Sequence, residues 1–125
     1  MSSYKELEIY QLAFKLSIDV HKLSLELPSH EKYEQGSQIR RSSKSIKDQI
    51  AEGYGRKRYK ADFIKFLTYA QASCDECSSQ IEMIVVLYPE NKKWLDLKEN
   101  YDQLGKMINR FIQYVEENWK TTRNQ

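Results

Sequence analysis

The sequence predicts an all-α protein that folds as an up-down-up-down four-helix bundle. Apolar residues recur at alternating steps of three and four in three long stretches, which is the pattern of amphipathic helices packed side by side. With four glycines and two prolines, the chain is poor in the turn residues of a small β-sandwich. Its hydrophobic content of 40% is too high for intrinsic disorder. A chain of 125 residues makes about one domain, which we predict to span residues 1–119.

The first predicted helix runs from the N-terminal region to Pro28, which ends it. Ser3 and Glu6 have the spacing of a capping box at its start. Its apolar residues form two sets, so one face is predicted to fill the core while the other is available to meet a second subunit. The core set is Ile9, Ala13, Leu16, Val20, Leu23 and Leu27, and the second set is Leu7, Phe14, Ile18 and Leu25.

A polar connection over residues 28–36 leads to the second predicted helix, for which Ser37 is a good N-cap. This helix is expected to end near Gly53, because Gly53-Tyr54-Gly55 contains glycines able to adopt the positive φ of a helix C-cap. Small residues beside its thin core stripe allow neighbouring helices to approach closely. The stripe is Ile39, Ser43, Ile46 and Ile50, flanked by Ser42, Ser45 and Ala51.

The third and fourth predicted helices carry the most regular repeats. The third extends from Phe63 to Tyr88, about 25 residues or more, and Pro89 marks its end. The fourth is bounded by Trp94 and Trp119, which we interpret as packing or interface anchors rather than ligand platforms. Residues 120–125 lack an apolar pattern and are predicted to fray. The repeats are Phe63, Leu67, Ala70, Cys74, Cys77, Ile81, Ile84 and Tyr88, followed by Trp94, Leu97, Tyr101, Leu104, Ile108, Phe111 and Val115.

The compartment can also be predicted from the sequence. No apolar run approaches the roughly 20 residues that cross a bilayer, and the N-terminus lacks the apolar core of a secretory signal. A cytoplasmic protein without membrane contact is therefore predicted. Cys74 and Cys77 have no second cysteine pair, which argues against a disulfide framework or a zinc site. Because both lie on the seam of the third helix, buried core thiols are favoured over a redox pair.

The sequence contains no recognisable catalytic constellation. Di-iron bundles use Glu-x-x-His pairs, but Ile18 precedes His21 by three residues and Leu27 precedes His30. The chain has two histidines, so it offers few candidates for the general base of Ser-His-acid or Cys-His catalysis. Gly53-Tyr54-Gly55 follows no predicted strand, so it fails the context of a phosphate loop. We expect no enzymatic activity, no cofactor and no metal.

Basic residues are concentrated between Gln38 and Lys60. These 23 residues contain eight Lys or Arg and two carboxylates, Asp48 and Glu52, so their net charge is +6 (8 minus 2), whereas the whole chain is +2. Such a face is typical of phosphate binding, in which Arg gives forked contacts and Lys gives point charges. The alternatives are a solvated face or one that docks an acidic partner protein. The predicted phosphate contacts, interpreted as one continuous strip, are Arg40, Arg41, Lys44, Lys47, Arg56, Lys57, Arg58 and Lys60.

Two further groups of residues accompany this strip. Tyr54 and Tyr59 flank it and are candidates for stacking on unpaired bases, although tyrosines beside a helix end more often pack locally. Glu52, Gly53 and Glu76 are assigned to a structural network. In this network a carboxylate on one helix pairs with Arg41 or with a serine on another helix and fixes the register.

Several blocks of residues occur in the order found in a known family. The chain resembles the four-helix-bundle family of 23S rRNA intervening-sequence proteins from Leu7 to about Leu87, most specifically between Gln38 and Gly53. The blocks are Leu7-Glu8-Ile9-Tyr10-Gln11-Leu12-Ala13, Pro28 with Glu31 and Tyr33, Ser37-Gln38-Ile39-Arg40-Arg41, Ser45-Ile46, Ile50-Ala51-Glu52-Gly53, Phe63-Ile64-Lys65-Phe66-Leu67, and Ala70 with Ser73 and Glu76. Gln49 stands where the family usually has Asn, and Ser42 and Ser43 replace alanines, which makes the second helix more polar.

The resemblance carries functional implications. Members of the family are encoded within insertions in bacterial 23S rRNA genes, or resemble proteins that are. The family is also similar to the accessory variability determinant of diversity-generating retroelements, a basic, barrel-shaped homopentamer that binds nucleic acid and a reverse transcriptase. The resemblance therefore implies a homopentamer, a nucleic-acid ligand with RNA favoured, and a partner protein such as a reverse transcriptase. We predict a non-enzymatic nucleic-acid-binding accessory protein, with a protein-interaction scaffold as the alternative.

Overall fold

The amphipathic repeats of the chain form helices in the computed structural model, which describes residues 3–121. The described elements are a 3₁₀ turn (Tyr4–Glu6), α1 (Glu8–Ser24), α2 (Ser29–Lys32), α3 (Gln35–Gly55), α4 (Lys60–Leu87) and α5 (Lys92–Asn118). The short helix α2 lies within the connection that was predicted to be only polar. The other four helices are the four that the apolar repeats predict.

The four long helices pack in chain order around a common core. α3 packs against α1 and α4, α4 packs against α5, and α1 closes the ring against α5. Residues 56–59 and 88–91 form the connections that flank α4, and connections this short make neighbouring helices antiparallel. The predicted all-α four-helix bundle is confirmed.

The core is built from the predicted stripes. Every seam residue of α4 from Phe63 to Ile84 is at most 1% exposed, and the stripes of α1, α3 and α5 close over this seam. Tyr88, the last predicted member, lies beyond the end of α4 and is only partly buried. Its hydroxyl donates a hydrogen bond to Glu31 Oε1 at 3.1 Å, so this residue holds α2 against the end of α4.

The start and end of α1 differ from the prediction. Ser3 Oγ accepts a hydrogen bond from the backbone N–H of Lys5 at 3.1 Å and caps the 3₁₀ turn, so the predicted capping box does not begin α1. The helix ends at Ser24, before Pro28, because residues 25–27 form a turn. Leu7 is buried in the core rather than presented on the outer face. The other members of the second apolar set, Phe14, Ile18 and Leu25, are between 40% and 48% exposed.

Gly53 serves helix packing and not helix termination. α3 continues to Gly55, and no glycine among the described residues has a positive φ, so the predicted C-cap conformation is wrong. An added Cβ at Gly53 would lie 3.0 Å from Phe66 Cβ and 3.4 Å from the carbonyl oxygen of Phe63. The absence of a side chain at this position therefore allows α3 and α4 to approach closely.

This packing role gives a prediction about two glycines. Gly53→Ala is expected to lower the free energy of unfolding by about 1–3 kcal/mol, because the methyl group must push α3 and α4 apart. Gly105→Ala is the matched control in α5, where the nearest atom to an added Cβ is 3.7 Å away. It is expected to raise stability by up to about 1 kcal/mol through helix propensity. Urea denaturation measures both, and a Gly53→Ala protein as stable as Gly105→Ala would contradict this packing role.

Serine hydroxyls connect α3 to α4. Ser42 Oγ donates a hydrogen bond to Gln80 Oε1 at 2.6 Å, and Ser45 Oγ donates one to Ser73 Oγ at 2.7 Å. Ser42 is one of the two serines that are expected from the sequence to make this helix more polar. Its hydroxyl lies at the interface of α3 and α4, so the added polarity of α3 is satisfied by α4 rather than by solvent.

None of the helices within residues 3–121 combines the length and apolarity that a membrane span requires.

Candidate nucleic-acid interface

The eight predicted phosphate contacts lie on α3, in the turn between α3 and α4, and at the first residue of α4. Two arginines are exposed and make no hydrogen bond or ion pair within residues 3–121: Arg41 on α3 and Arg58 in the turn. Lys44 is also exposed, and its ammonium lies 3.0 Å from Nδ1 of His21 on α1. These three side chains face solvent.

Two of the predicted contacts are tethered to the protein itself. Arg40 is partly buried and donates hydrogen bonds to Ser24 Oγ and to the carbonyl oxygen of Lys32, both at 2.8 Å. Lys60 donates one to the carbonyl oxygen of Glu116, near the C-terminal end of α5. Cations stabilise the C-terminal end of a helix. The structure therefore gives Arg40 and Lys60 partners within the protein, which leaves them less free to contact a phosphate than Arg41 and Arg58.

Two others are paired with carboxylates. Lys47 Nζ lies 2.6 Å from Asp48 Oδ1. Arg56 Nη2 lies 3.1 Å from Glu52 Oε2, and its guanidinium sits 4.7 Å from the centre of the Phe66 ring. Surface ion pairs contribute only about 0–1 kcal/mol to stability. They do, however, reduce the positive potential that a phosphate would meet.

The basic strip is therefore interrupted. Asp48 and Glu52 lie seven and eleven residues after Arg41, positions that return to the same face of a helix, and both are exposed. Two basic regions result. We name Arg41 and Lys44 the mid-helix pair, and we name residues 56–60 the basic turn. Arg41 and Arg56 are 15 residues apart along α3, or about 22 Å at 1.5 Å per residue. Only an extended polyanion can contact both regions at once.

The predicted pairing of Glu52 or Glu76 with Arg41 or with a serine of another helix is not seen among residues 3–121. Glu52 pairs with Arg56 in the following turn, and Arg56 Nη1 lies 3.9 Å from Asp62 Oδ2 on α4. Glu76 accepts a hydrogen bond from Gln80 Nε2 at 3.4 Å within α4. The carboxylate of Glu76 borders a polar groove between α3 and α4. This groove is lined by Gln38, Arg41, Ser42, Ser45, Glu76 and Gln80. Near this groove, Ser42 and Ser45 make the hydrogen bonds that join α3 to α4.

The two tyrosines proposed for base stacking have different environments. Tyr54 is 7% exposed, its ring packs edge-on against Phe63, and the Lys57 ammonium lies 3.6 Å from its ring centre. Its ring is therefore covered and is not presented to a base. Tyr59 is 47% exposed and remains available for contact.

Sequence reasoning missed two residues that the fold brings to the basic turn. Trp119, at the end of α5, donates a hydrogen bond from Nε1 to the carbonyl oxygen of Lys57 at 2.8 Å. Lys120 was assigned to the frayed tail, but with Lys57 and Arg58 it lines a cleft. Thr121 is also held, because its Oγ1 accepts a hydrogen bond from the backbone N–H of Lys60. The rest of the predicted tail, residues 122–125, lies outside the described residues.

The two cysteines lie in the core, as the seam predicts. Burial raises the pKa of the Cys74 thiol to about 12 and that of the Cys77 thiol to about 11. Burial likewise raises the pKa of the Tyr101 hydroxyl, which lies among the same side chains. Raised thiol pKa values oppose the thiolate that redox chemistry requires. Within residues 3–121, His, Cys, Asp and Glu side chains do not gather in groups of three or more that could ligate a metal ion.

The fold and the surface together define a small four-helix-bundle protein with an exposed, interrupted basic face. Comparison with protein families identifies the group to which it belongs. The chain is a member of the 23S rRNA-intervening sequence protein family, whose family model matches residues 5–110. The predicted family is thereby confirmed, and Trp119 and Lys120 lie outside the matched region. No curated protein matches this chain.

Proposed function

We propose that this protein is a non-enzymatic nucleic-acid-binding protein that uses its basic face to contact phosphates. The observation that carries the proposal is the presence of two exposed arginines, Arg41 and Arg58, without partners within residues 3–121, in a segment of net charge +6 (8 minus 2). An exposed guanidinium without a carboxylate partner is free to make forked contacts with a phosphate. Lys44 and Lys57 add charge beside each arginine.

The proposed ligand is RNA or another structured nucleic acid, recognised by shape and charge. The mid-helix pair and the basic turn are about 22 Å apart, which matches several nucleotides of extended backbone rather than one phosphate. Contacts to phosphates position a nucleic acid but do not read its sequence. We therefore expect affinity with weak sequence preference.

We further propose that the protein assembles as a homopentamer through the outer face of α1. Phe14 and Ile18 on α1 and Leu25 just after it are between 40% and 48% exposed, and a second copy would cover them. A ring of identical basic faces would raise the local potential and allow several contacts with one polyanion. Native mass spectrometry is expected to show five chains, and a single chain at micromolar concentration would contradict the assembly.

The alternative function is a scaffold whose basic face docks an acidic partner protein. A comparison of three polyanions separates the two functions: a single-stranded RNA, a duplex DNA and a polyglutamate of equal charge, each with a fluorescent label. Anisotropy at low salt is expected to give an affinity for RNA at least about tenfold higher than that for polyglutamate, because phosphates and bases both contribute to contact. Equal or tighter binding of polyglutamate would support the scaffold and overturn the proposed function.

A further inference from the structure

A cleft at one end of the bundle combines positive charge with an aromatic wall. It has a volume of about 620 Å³ and lies where the turn after α3 meets the end of α5. This volume falls within the roughly 300–1,000 Å³ typical of sites for small ligands. The residues that line the cleft include three cations and no carboxylate: Tyr54, Gly55, Lys57, Arg58, Trp119 and Lys120.

The walls of this cleft are fixed to each other by direct contacts. The indole N–H of Trp119 is bonded to the carbonyl oxygen of Lys57, and the indole ring packs edge-on against Phe63, with ring centres 5.2 Å apart. On the same side, Lys60 donates hydrogen bonds to the carbonyl oxygen of Glu116 and to Thr121 Oγ1. The turn and the end of α5 are therefore held together before any ligand arrives, which lowers the entropic cost of binding.

The cations of the cleft are available to an anion. Arg58 and Lys120 are exposed and have no partner within residues 3–121, and Lys57 contacts only the face of Tyr54 through its ammonium. The neighbouring Arg56 differs, because it is paired with Glu52. The aromatic wall adds a flat apolar surface beside these charges. Nucleic-acid-binding sites for single strands combine these two elements, since the cations contact the backbone and the aromatic ring contacts a base.

We propose that this cleft binds one nucleotide of a single-stranded nucleic acid, with its phosphate on Lys57, Arg58 and Lys120 and its base against Trp119. This inference rests on the proposed function and adds the strand type and the place where a base is held. A duplex is disfavoured because its bases are stacked and paired, so none is free to enter the cleft. Trp119 and Lys120 lie beyond the region matched by the family model, so the cleft depends on residues of this chain outside that match.

Tryptophan fluorescence tests the proposal directly. The chain has two tryptophans, and Trp94→Phe leaves Trp119 as the only one. An octamer of uridine is expected to quench Trp119 fluorescence in this variant, whereas duplex DNA and polyglutamate at equal charge are not. If this variant folds poorly, the wild-type protein can be used for the same measurement. Trp94 is 1% exposed and lies 25 residues from Trp119 along α5, about 38 Å away, so a ligand in the cleft would not quench its fluorescence. Quenching of Trp119 fluorescence by uridine monophosphate would show that the cleft also binds a free nucleotide.

A matched pair of substitutions assigns any signal to the cleft. Lys120→Gln is expected to weaken octamer binding by about three- to tenfold, whereas Lys92→Gln, at the opposite end of α5, is expected to change it by less than about twofold. If anisotropy shows RNA binding but Trp119 is not quenched, or if both variants bind alike, the cleft assignment is wrong and the proposed function stands. Equal quenching by polyglutamate also overturns it. If no RNA binds at all, both proposals are wrong.

Discussion

Phe63→Ala is expected to lower the free energy of unfolding by about 3–5 kcal/mol, the range for removing a fully buried phenylalanine. Phe63 is 0% exposed and its ring contacts those of Tyr54, Phe111 and Trp119. Removing it leaves a cavity at the centre of this aromatic cluster, which a packed core only partly closes. The loss is a large fraction of the roughly 5–15 kcal/mol that stabilises a typical domain. Urea or guanidinium denaturation followed by circular dichroism measures it.

The control for this prediction is Phe66→Ala in the same helix. Phe66 is only partly buried, and its ring contacts Tyr69 and the guanidinium of Arg56. Its removal is expected to cost about 1–2 kcal/mol, since less of the ring is shielded from water. Equal losses for Phe63→Ala and Phe66→Ala would contradict the placement of Phe63 at the centre of the cluster.

The aromatic cluster around Phe63 also supports the residues of the cleft at the basic turn. Phe63 supports Tyr54, over which the Lys57 ammonium lies, and it supports the indole ring of Trp119. Partial loss of this packing is expected to free the end of α5 from the basic turn before the remaining bundle unfolds. The near-ultraviolet signal of Trp119 in Phe63→Ala reports this change separately from the helical signal.

Apolar periodicity was sufficient to predict the bundle and its core. The alternating repeat of α4 predicted seven residues that are now found at 1% exposure or less, from Phe63 to Ile84. Such a pattern is informative because burial on one face of a helix constrains every third or fourth residue along it. Leu7 departed from its predicted face because it is the N-cap of α1 and has an extended backbone, so helical periodicity does not set the direction of its side chain.

The functional surface could be predicted only in part, because side-chain partners are set by the tertiary fold. Arg40 and Arg41 are adjacent, yet Arg40 reaches Ser24 and the Lys32 carbonyl while Arg41 faces solvent. Composition and spacing do not distinguish them. The contact between Trp119 and Lys57 joins residues 62 positions apart, which no local pattern reveals.

Gly53 is a second residue whose role could not be predicted from the sequence. A glycine near the end of an amphipathic repeat is typical of a helix C-cap, but here its lack of a side chain serves close contact with Phe66. A C-cap glycine and a glycine at a close helix contact can occupy the same position of an amphipathic repeat, so the sequence alone does not distinguish these two roles. Only the course of α4 past α3 decides between them.

Reversal of the mid-helix pair is expected to have the largest effect on ligand binding. The double substitution Arg41→Glu and Lys44→Glu should weaken RNA binding on the order of 100-fold at about 0.1 M salt, because two attractive contacts become repulsive. Both side chains are exposed and make no ion pair within residues 3–121, so the bundle should remain folded. Anisotropy with labelled single-stranded RNA measures the affinity.

The matched control is Lys92→Glu with Lys93→Glu at the start of α5. Both lysines are exposed, and this double substitution changes the net charge by the same amount as reversal of the mid-helix pair. It is expected to weaken RNA binding by less than about fivefold, through the overall field alone. If both double variants lose affinity equally, attraction depends on net charge and the basic face has no particular role.

The salt dependence of RNA affinity tests the central claim, that cations without carboxylate partners on α3, in the basic turn and just after α5 contact phosphates. Five such contacts per chain, from Arg41, Lys44, Lys57, Arg58 and Lys120, predict a slope of log K against log salt of about −3.5 for a single strand. The Arg41→Glu, Lys44→Glu variant should give a slope shallower by about 1 to 2. A slope near zero in the wild-type protein, or the same slope in both proteins, would contradict the claim.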